Sequence, residues 1–232
     1  MNLKIVFGVF ILLFIIYILY LALSPSDGLI ATVNANSEQT INADTLMGGS
    51  DNFEKNRSYS IWIFVNEWSN DSEKNILSEG TGESLDVYLG KDSNDLYVKL
   101  NGGKSSDLHG NVCVIENIAL QKWTNIIVTI YNRSADTYLN GKLVNTCSLS
   151  TMIKGDATTA SEMTLAKGGN GFNGKLAKFQ YFPYIVNPQK AWDIYSSGFQ
   201  DSNWLKDLFK SNYSVKFTWM EDGNEEGDFS IP

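Results

Sequence analysis

A period-two pattern most constrains what this 232-residue chain can fold into. Tyr59, Ile61, Ile63 and Val65 alternate with Ser60, Trp62, Phe64 and Asn66. Successive side chains of a β-strand point to opposite faces, so this alternation predicts a strand. The second set is also partly apolar, which predicts a strand covered on both sides. Apolar runs at 85–89, 96–100, 112–115, 126–131, 137–140, 143–149, 163–166 and 176–182 continue the pattern. Asn-Gly pairs at 101–102, 140–141 and 173–174 offer the positive-φ residues that tight hairpins need. Many short strands and few helices predict an all-β, two-sheet antiparallel jelly-roll sandwich.

Helical patterning comes late. Ala191, Ile194 and Tyr195 fall at i, i+3 and i+4, with Asn187 as N-cap, Pro188 at the first helical position and Gly198 as a stop, which predicts a helix over 188–197. A second short helix is expected at 201–210 and a return strand at 214–220. Glu221, Asp222, Glu225, Glu226 and Asp228 then read as a solvated acidic tail.

The first 23 residues follow a different logic. Ile5–Leu23 is an uncharged apolar run of 19 residues, about 28 Å long as a helix at roughly 1.5 Å per residue, close to the hydrocarbon core of a bilayer. It is longer than the apolar region of a signal peptide, and Pro25 follows the small-residue stretch where cleavage would fall. One N-terminal transmembrane helix is therefore expected to precede the sandwich. Lys4 lies before the run and no Lys or Arg follows until Lys55, which places the N-terminus on the cytoplasmic side. Four regions result: a transmembrane anchor at 1–26, a stalk with one or two short strands at 27–51, the jelly roll at 52–200, and a C-terminal helix, strand and tail at 201–232.

Outside the anchor, 17 bases stand against 26 acids, a net charge of −9. That balance argues against nucleic acid as a partner, because phosphate backbones are bound by basic patches. One His, His109, and two Cys, Cys113 and Cys147, are too few for a zinc site of usual composition. His109 sits in a turn-like stretch and reads as a solvated loop residue. Acids at i, i+2 and i+4 along one strand, the arrangement that would put a carboxylate pair over a saccharide, do not occur. A Gly-x-Ser-x-Gly elbow, a phosphate-binding Gly loop and a Cys-x-x-Cys pair are also missing from the sequence. The chain therefore reads as a non-enzyme without metal or cofactor.

The two cysteines lie in strand candidates flanking the Trp123 hairpin and are expected to form a disulfide, Cys113–Cys147; the alternative is a pair of buried thiols in a reducing compartment. Trp62, Trp123 and Tyr138 sit inside strand patterns and are expected in the core. Trp68, Phe172 and Tyr184, in loop contexts, and Tyr181 beside them are the candidates for protein or glycan contacts. Asn-x-Ser sequons at Asn56, Asn70, Asn132 and Asn212 are about as many as this composition gives by chance.

The run from Ile118 to Leu149, in which Trp123 opens a strand and Tyr138 precedes Gly141 in a hairpin, resembles the centre of concanavalin A-like, laminin-G-like jelly rolls. YSIWIFVNEW from Tyr59, ILSEG from Ile76 and FNGKLAKFQYF from Phe172 fall where that family has its opening, next and closing strands. The fold is shared by hydrolases, lectins, adhesion modules and structural proteins, so it implies no one activity. This chain has Asn140 where the family often has an Asp before Gly, and no calcium-ligand role is carried over. LQKW, YLNGKLVNTC, FQYFPYIVNPQKAWDIYSSG and SVKFTWMEDGNEE are similar to laminin-G-like proteins of large nucleocytoplasmic DNA viruses. That likeness implies a minor capsid protein, single-pass in the internal membrane of the virion through Ile5–Leu23 and bound to capsid or other virion proteins. A membrane-tethered carbohydrate-binding or adhesion module is the alternative.

Overall fold

The structure, a computed structural model, describes residues 30–42, 56–80, 85–100, 112–148 and 162–199, isolated residues 13, 14, 16, 17 and 45, and the backbone of 215–221 and 224–231. Two compact units divide the chain: Asp27–Asp201, and Met1–Ser26 with Ser202–Pro232.

Among the described residues, the first unit is a sandwich of two six-stranded antiparallel sheets. Its strands are β1 (Val33–Asn34), β2 (Gln39–Asn42), β3 (Arg57–Glu67), β4 (Lys74–Glu79), β5 (Leu85–Leu89), β6 (Leu96–Leu100), β7 (Val112–Ile115), β8 (Thr124–Tyr131), β9 (Ser134–Leu139), β10 (Lys142–Ser148), β11 (Glu162–Leu165) and β12 (Asn173–Phe182). The first sheet runs β1-β12-β3-β8-β9-β10 and the second β2-β11-β4-β5-β6-β7. Tyr59, Ile61, Ile63 and Val65 from β3 and Ile126, Val128 and Ile130 from β8 share one core with Leu85, Val87 and Leu89 of β5 and Leu96, Val98 and Leu100 of β6. Burying such side chains stabilises by roughly 1.5–3 kcal/mol each before entropy is counted.

A buried charge pair ties the sheets across that interior. Arg57 Nη2 lies 2.8 Å from Glu79 Oε2, and Arg57 Nε donates to the Tyr59 hydroxyl at 3.0 Å. Burial, then the Glu79 charge, raises the Tyr59 phenol well above its ordinary value. The sandwich is closed at both lateral edges. On one side the chain itself passes from β1 in the first sheet to β2 in the second. On the other, a disulfide joins Cys113 of β7 to Cys147 of β10, with Cα atoms 6.1 Å apart.

Helix α1 (Pro188–Ser196) covers the outer face of the first sheet. The Asn187 side chain accepts from the Lys190 N–H at 2.8 Å, and at the far end Lys178 Nζ donates to Ser197 Oγ and the Gly198 carbonyl. Cationic capping there complements the helix dipole. Ala191 and Ile194 pack with Ile127, Tyr138 and Val186 into a second apolar cluster outside the main core. The polar positions of that face are paired too. Ser58 Oγ donates to the Tyr184 carbonyl and accepts from Thr129 Oγ1 and the Val186 N–H, fastening the incoming loop.

Several expectations change. The packed unit begins at Asp27, well before 52, because the stretch read as a stalk supplies β1 and β2. Trp62 and Tyr138 are core residues as expected, although they and Trp123 lie outside the space between the sheets. Trp62 and Tyr138 are buried under the helix side of the first sheet, and Trp123 is half-buried there, stacked on Phe199 at 4.2 Å and tilted against Phe64. Asn140-Gly141 does form the β9–β10 turn, both residues at positive φ. Asn173-Gly174 is no turn: it lies in β12, where a Cβ on Gly174 would come within 2.0 Å of the Phe64 carbonyl oxygen. Of the acidic stretch read as a tail, Glu221 ends β13 (Val215–Glu221) and Glu225, Glu226 and Asp228 lie in β14 (Asn224–Ile231), antiparallel to it. His109, the 101–102 turn and the 201–210 helix lie outside the described residues, as does most of Ile5–Leu23. No helix among the described residues is long and apolar enough to cross a membrane.

Candidate functional site

The outer face of the second sheet carries no α-helix among the described residues. In β5, Leu85, Val87 and Leu89 point inward, leaving Asp86 and Tyr88 on the outer face; β6 places Tyr97 and Lys99 there in the same way. Tyr88 and Tyr97 are directly opposite and stack with ring centroids 5.2 Å apart and planes within 5°. The neighbouring β4 has a register irregularity between Asn75 and Leu77. The extra residue lets Asn75 and Ser78, three apart, share the outer face, opposite Tyr88 and Asp86 respectively.

These side chains form one hydrogen-bonded unit. Asn75 Nδ2 donates to Ser78 Oγ and to Asp86 Oδ1, each at 2.8 Å, and the Ser78 hydroxyl donates to Asp86 Oδ1 at 2.6 Å. Asn75 Oδ1 accepts from the Lys167 N–H at 3.0 Å, and the Asn75 N–H donates to the Asn170 carbonyl at 2.7 Å. The network thus fixes both the Asp86 carboxylate and the turn at Lys167–Gly169 that follows β11. Between that turn and Tyr88 lies an open cleft of about 480 Å³, lined also by Glu73, Asn75, Asp86 and Asn170. Tyr97, on β6, backs Tyr88 from the far side. Burial, then the charges of Glu73 and Asp86, raises the Tyr88 phenol above its ordinary value, so it stays a neutral hydroxyl at physiological pH.

An aromatic wall beside fixed polar acceptors is suited to ligands with both an apolar face and hydroxyl groups. Among the described residues, no group of three or more His, Cys, Asp and Glu side chains is placed to hold a metal ion.

The contact residues expected from the sequence are not brought together. Phe172 is 4% exposed and Tyr181 9% exposed, both in the main core, where Tyr181 packs 5.5 Å from the Tyr59 ring. They are core residues, not contacts, because Tyr181 in β12 and Phe172 just before it pack between the sheets. Tyr184 is exposed, in the loop over the first sheet. Trp68 is half-buried at a sandwich end and borders a separate 540 Å³ hollow with Leu120 and Gln121. Its ring lies 4.1 Å from the ammonium of Lys74, a buried lysine that donates to the Ser72 and Gly90 carbonyls. Burial lowers the Lys74 pKa, against the opposing pull of Asp71 and Asp92. Sequence reasoning missed Asn75, Asp86, Tyr88 and Tyr97 as a group. The signal present was the inward-outward alternation of β5 and β6.

Several solved structures share this architecture. They include HCR/D-Sa-GBL1/C, with 17% identity and a TM-score of 0.55 over 72% of this chain and 41% of that one. A second is the binding domain of botulinum neurotoxin DC in complex with SialylT, with 17% identity and a TM-score of 0.54 over 72% and 40%. A third comes from botulinum neurotoxin type C, whose cell entry depends on interaction with two ganglioside molecules, with 17% identity and a TM-score of 0.50 over 63% and 36%. At such identities the likeness establishes the fold alone, and the chain spans about two fifths of the length of these structures. No curated protein matches the chain. The model of the concanavalin A-like lectin/glucanases superfamily matches residues 24–191, well over half of the sequence, and the chain belongs to that family.

Proposed function

We propose that this protein is a non-enzymatic, lectin-like recognition module that binds saccharide in the cleft on the outer face of the second sheet. One observation carries the reading: Tyr88 stands beside an Asn75–Ser78–Asp86 network already hydrogen-bonded in place, on a sheet face that carries no α-helix among the described residues. A pyranose offers an apolar face to the ring and hydroxyls to the carboxylate. Because the polar groups are fixed before binding, little ordering entropy opposes association. The ganglioside dependence of a structurally similar toxin supports a recognition role for the fold. In this reading Ile5–Leu23 holds the module at a membrane.

The test is binding of the full chain, in nanodiscs, to an oligosaccharide panel. Tyr88→Ala and Asp86→Ala are each expected to weaken the best ligand by at least about tenfold, roughly 1.4 kcal/mol. A wild-type chain that binds nothing on the panel, or binding untouched by both substitutions, overturns the proposal.

A second reading has its own observation. Trp192, Tyr184 and Ile185 on the helix-covered side are 45–47% exposed, and together with the apolar run they suit a tethered structural protein between the internal membrane and capsid shell of a large DNA virus. Cross-linking in native particles that captures a shell protein through Trp192→Cys would favour that role.

A further inference from the structure

The cleft is bordered by a turn whose N–H groups face inward to the protein and by two carboxylates. The turn at Lys167–Gly169 would ordinarily attract anions: Gly168 and Gly169 have φ of 67° and 71°, and successive N–H groups in such a conformation form an anion-binding concavity. Here every N–H from 167 to 170 is engaged within the protein. Lys167 N–H donates to Asn75 Oδ1, Gly168 N–H to the Glu38 carboxylate, Gly169 N–H to the Ala166 carbonyl and Asn170 N–H to the Lys167 carbonyl. An internal carboxylate therefore fills the position an anionic ligand would take.

Toward the cleft the carboxylates outnumber the bases, beside the neutral polar groups of Ser72, Tyr88 and Asn170. Glu73 and Asp86 line it, and Asp86 uses Oδ1 for both of its hydrogen bonds, leaving Oδ2 without a partner among the described residues. Among the described residues Lys167 is the one base in the lining, with Lys99 opposite Asp86 on the same face, against two carboxylates in the lining and Glu38 behind the turn. A ligand that brings hydrogen-bond donors to Asp86 and Glu73 and carries no negative charge suits this arrangement.

We infer that the cleft is a neutral-saccharide site that rejects sialylated, sulfated and uronate-containing glycans, with Glu38, Glu73 and Asp86 as its charge filter. This rests on the saccharide reading above and narrows it. Glu38 acts as a positioning residue: it engages the anion-binding turn and leaves the ligand to Tyr88 and Asp86.

The experiment uses the full chain in nanodiscs. The probes are neutral oligosaccharides terminating in galactose, glucose, mannose or N-acetylhexosamine, each beside a sialylated, sulfated or uronate-containing counterpart. Neutral members are expected to bind at least about tenfold tighter. Raising ionic strength should narrow the gap by improving the acidic members alone, since screening shortens the reach of the repulsion. Glu38→Ala should raise acidic-glycan binding several-fold, and the wild-type salt series decides the matter where that variant folds poorly. Acidic members binding as tightly as their neutral counterparts would overturn the charge filter while leaving a saccharide site. Binding by neither class removes the saccharide reading and the filter with it.

Discussion

The two outer faces of this sandwich are built on the same kind of sheet and meet opposite fates. On the first sheet, Trp62, Ile127 and Tyr138 point away from the core and are buried by α1 and its leading loop. On the second, the outward residues are Asp86, Tyr88, Tyr97 and Lys99, all half-buried and none covered by an α-helix among the described residues. An apolar outer face is stable only when something packs on it, whereas a polar one can remain in water. The difference separates a face whose side chains are engaged in holding the fold from one whose side chains are available to a ligand. It also explains why the aromatic-rich side is the poorer place to look for a saccharide platform.

The largest expected effect falls on what both faces share. Glu79→Ala would remove the carboxylate that pairs with the buried Arg57 guanidinium between the sheets, and breaking a buried pair in this way costs about 3–5 kcal/mol. Denaturant unfolding should show that loss, and a change under about 1 kcal/mol would mean that the pair does not hold the sheets together. Trp62→Ala comes next, at about 3 kcal/mol, because it removes a buried ring stacked on Tyr195 at 5.6 Å. On the face without an α-helix among the described residues the corresponding change, Tyr88→Ala, should cost roughly 1 kcal/mol or less, the order of one half-buried aromatic pair, while weakening saccharide binding at least about tenfold. Equal losses at Trp62 and Tyr88 would erase the distinction between the faces.

A smaller change acts on the cover itself. Asn187→Ala removes the cap on the first turn of α1 and should cost about 1 kcal/mol. Hydrogen exchange should then speed up in 188–196 and leave the amides of β5 unchanged. Faster exchange on both sheets would show that the cover is no separable layer.

How far the sequence revealed this contrast follows from individual strands. In β3, Ser60, Trp62 and Phe64 interleave with Tyr59, Ile61, Ile63 and Val65, so a covered strand was legible, as were α1 and its cap. The same logic applied to Leu85-Asp86-Val87-Tyr88-Leu89 marks an open face, and Asp86 and Tyr88 could have been read there. Asn75 and Ser78 could not, because the irregularity in β4 breaks period two at that point. The turn at Lys167–Gly169 was hidden for a different reason. It reaches the cleft through a contact 92 positions away in sequence, between Lys167 and Asn75, and local patterning carries no information about such a pairing. Phe172 misled because an aromatic in a loop context suggests exposure. Gly174, which lets β12 approach the Phe64 carbonyl, would place a Cβ within 2.7 Å of the Phe172 ring, so that ring occupies space only a glycine leaves open.

The smallest expected effect distinguishes the faces by titration. Tyr88 has a raised pKa because of burial first, then the negative charges of Glu73 and Asp86, while Tyr138 beneath the helix side is raised by burial, then by Asp136 and Tyr131. An acid whose folded pKa lies above its unfolded value binds more protons folded than unfolded once pH passes the ordinary tyrosine value of about 10. Its contribution to stability is therefore complete below that pH and declines as pH rises toward the folded pKa. Alkaline titration followed by phenolate absorbance should show both residues ionising late. Glu73→Gln and Asp86→Asn should each bring Tyr88 partway back toward the ordinary value and leave Tyr138 where it was. Tyr88 unmoved by both substitutions would mean that the cleft carries no appreciable negative potential at the ring, and the charge selection argued for it would lose its electrostatic basis.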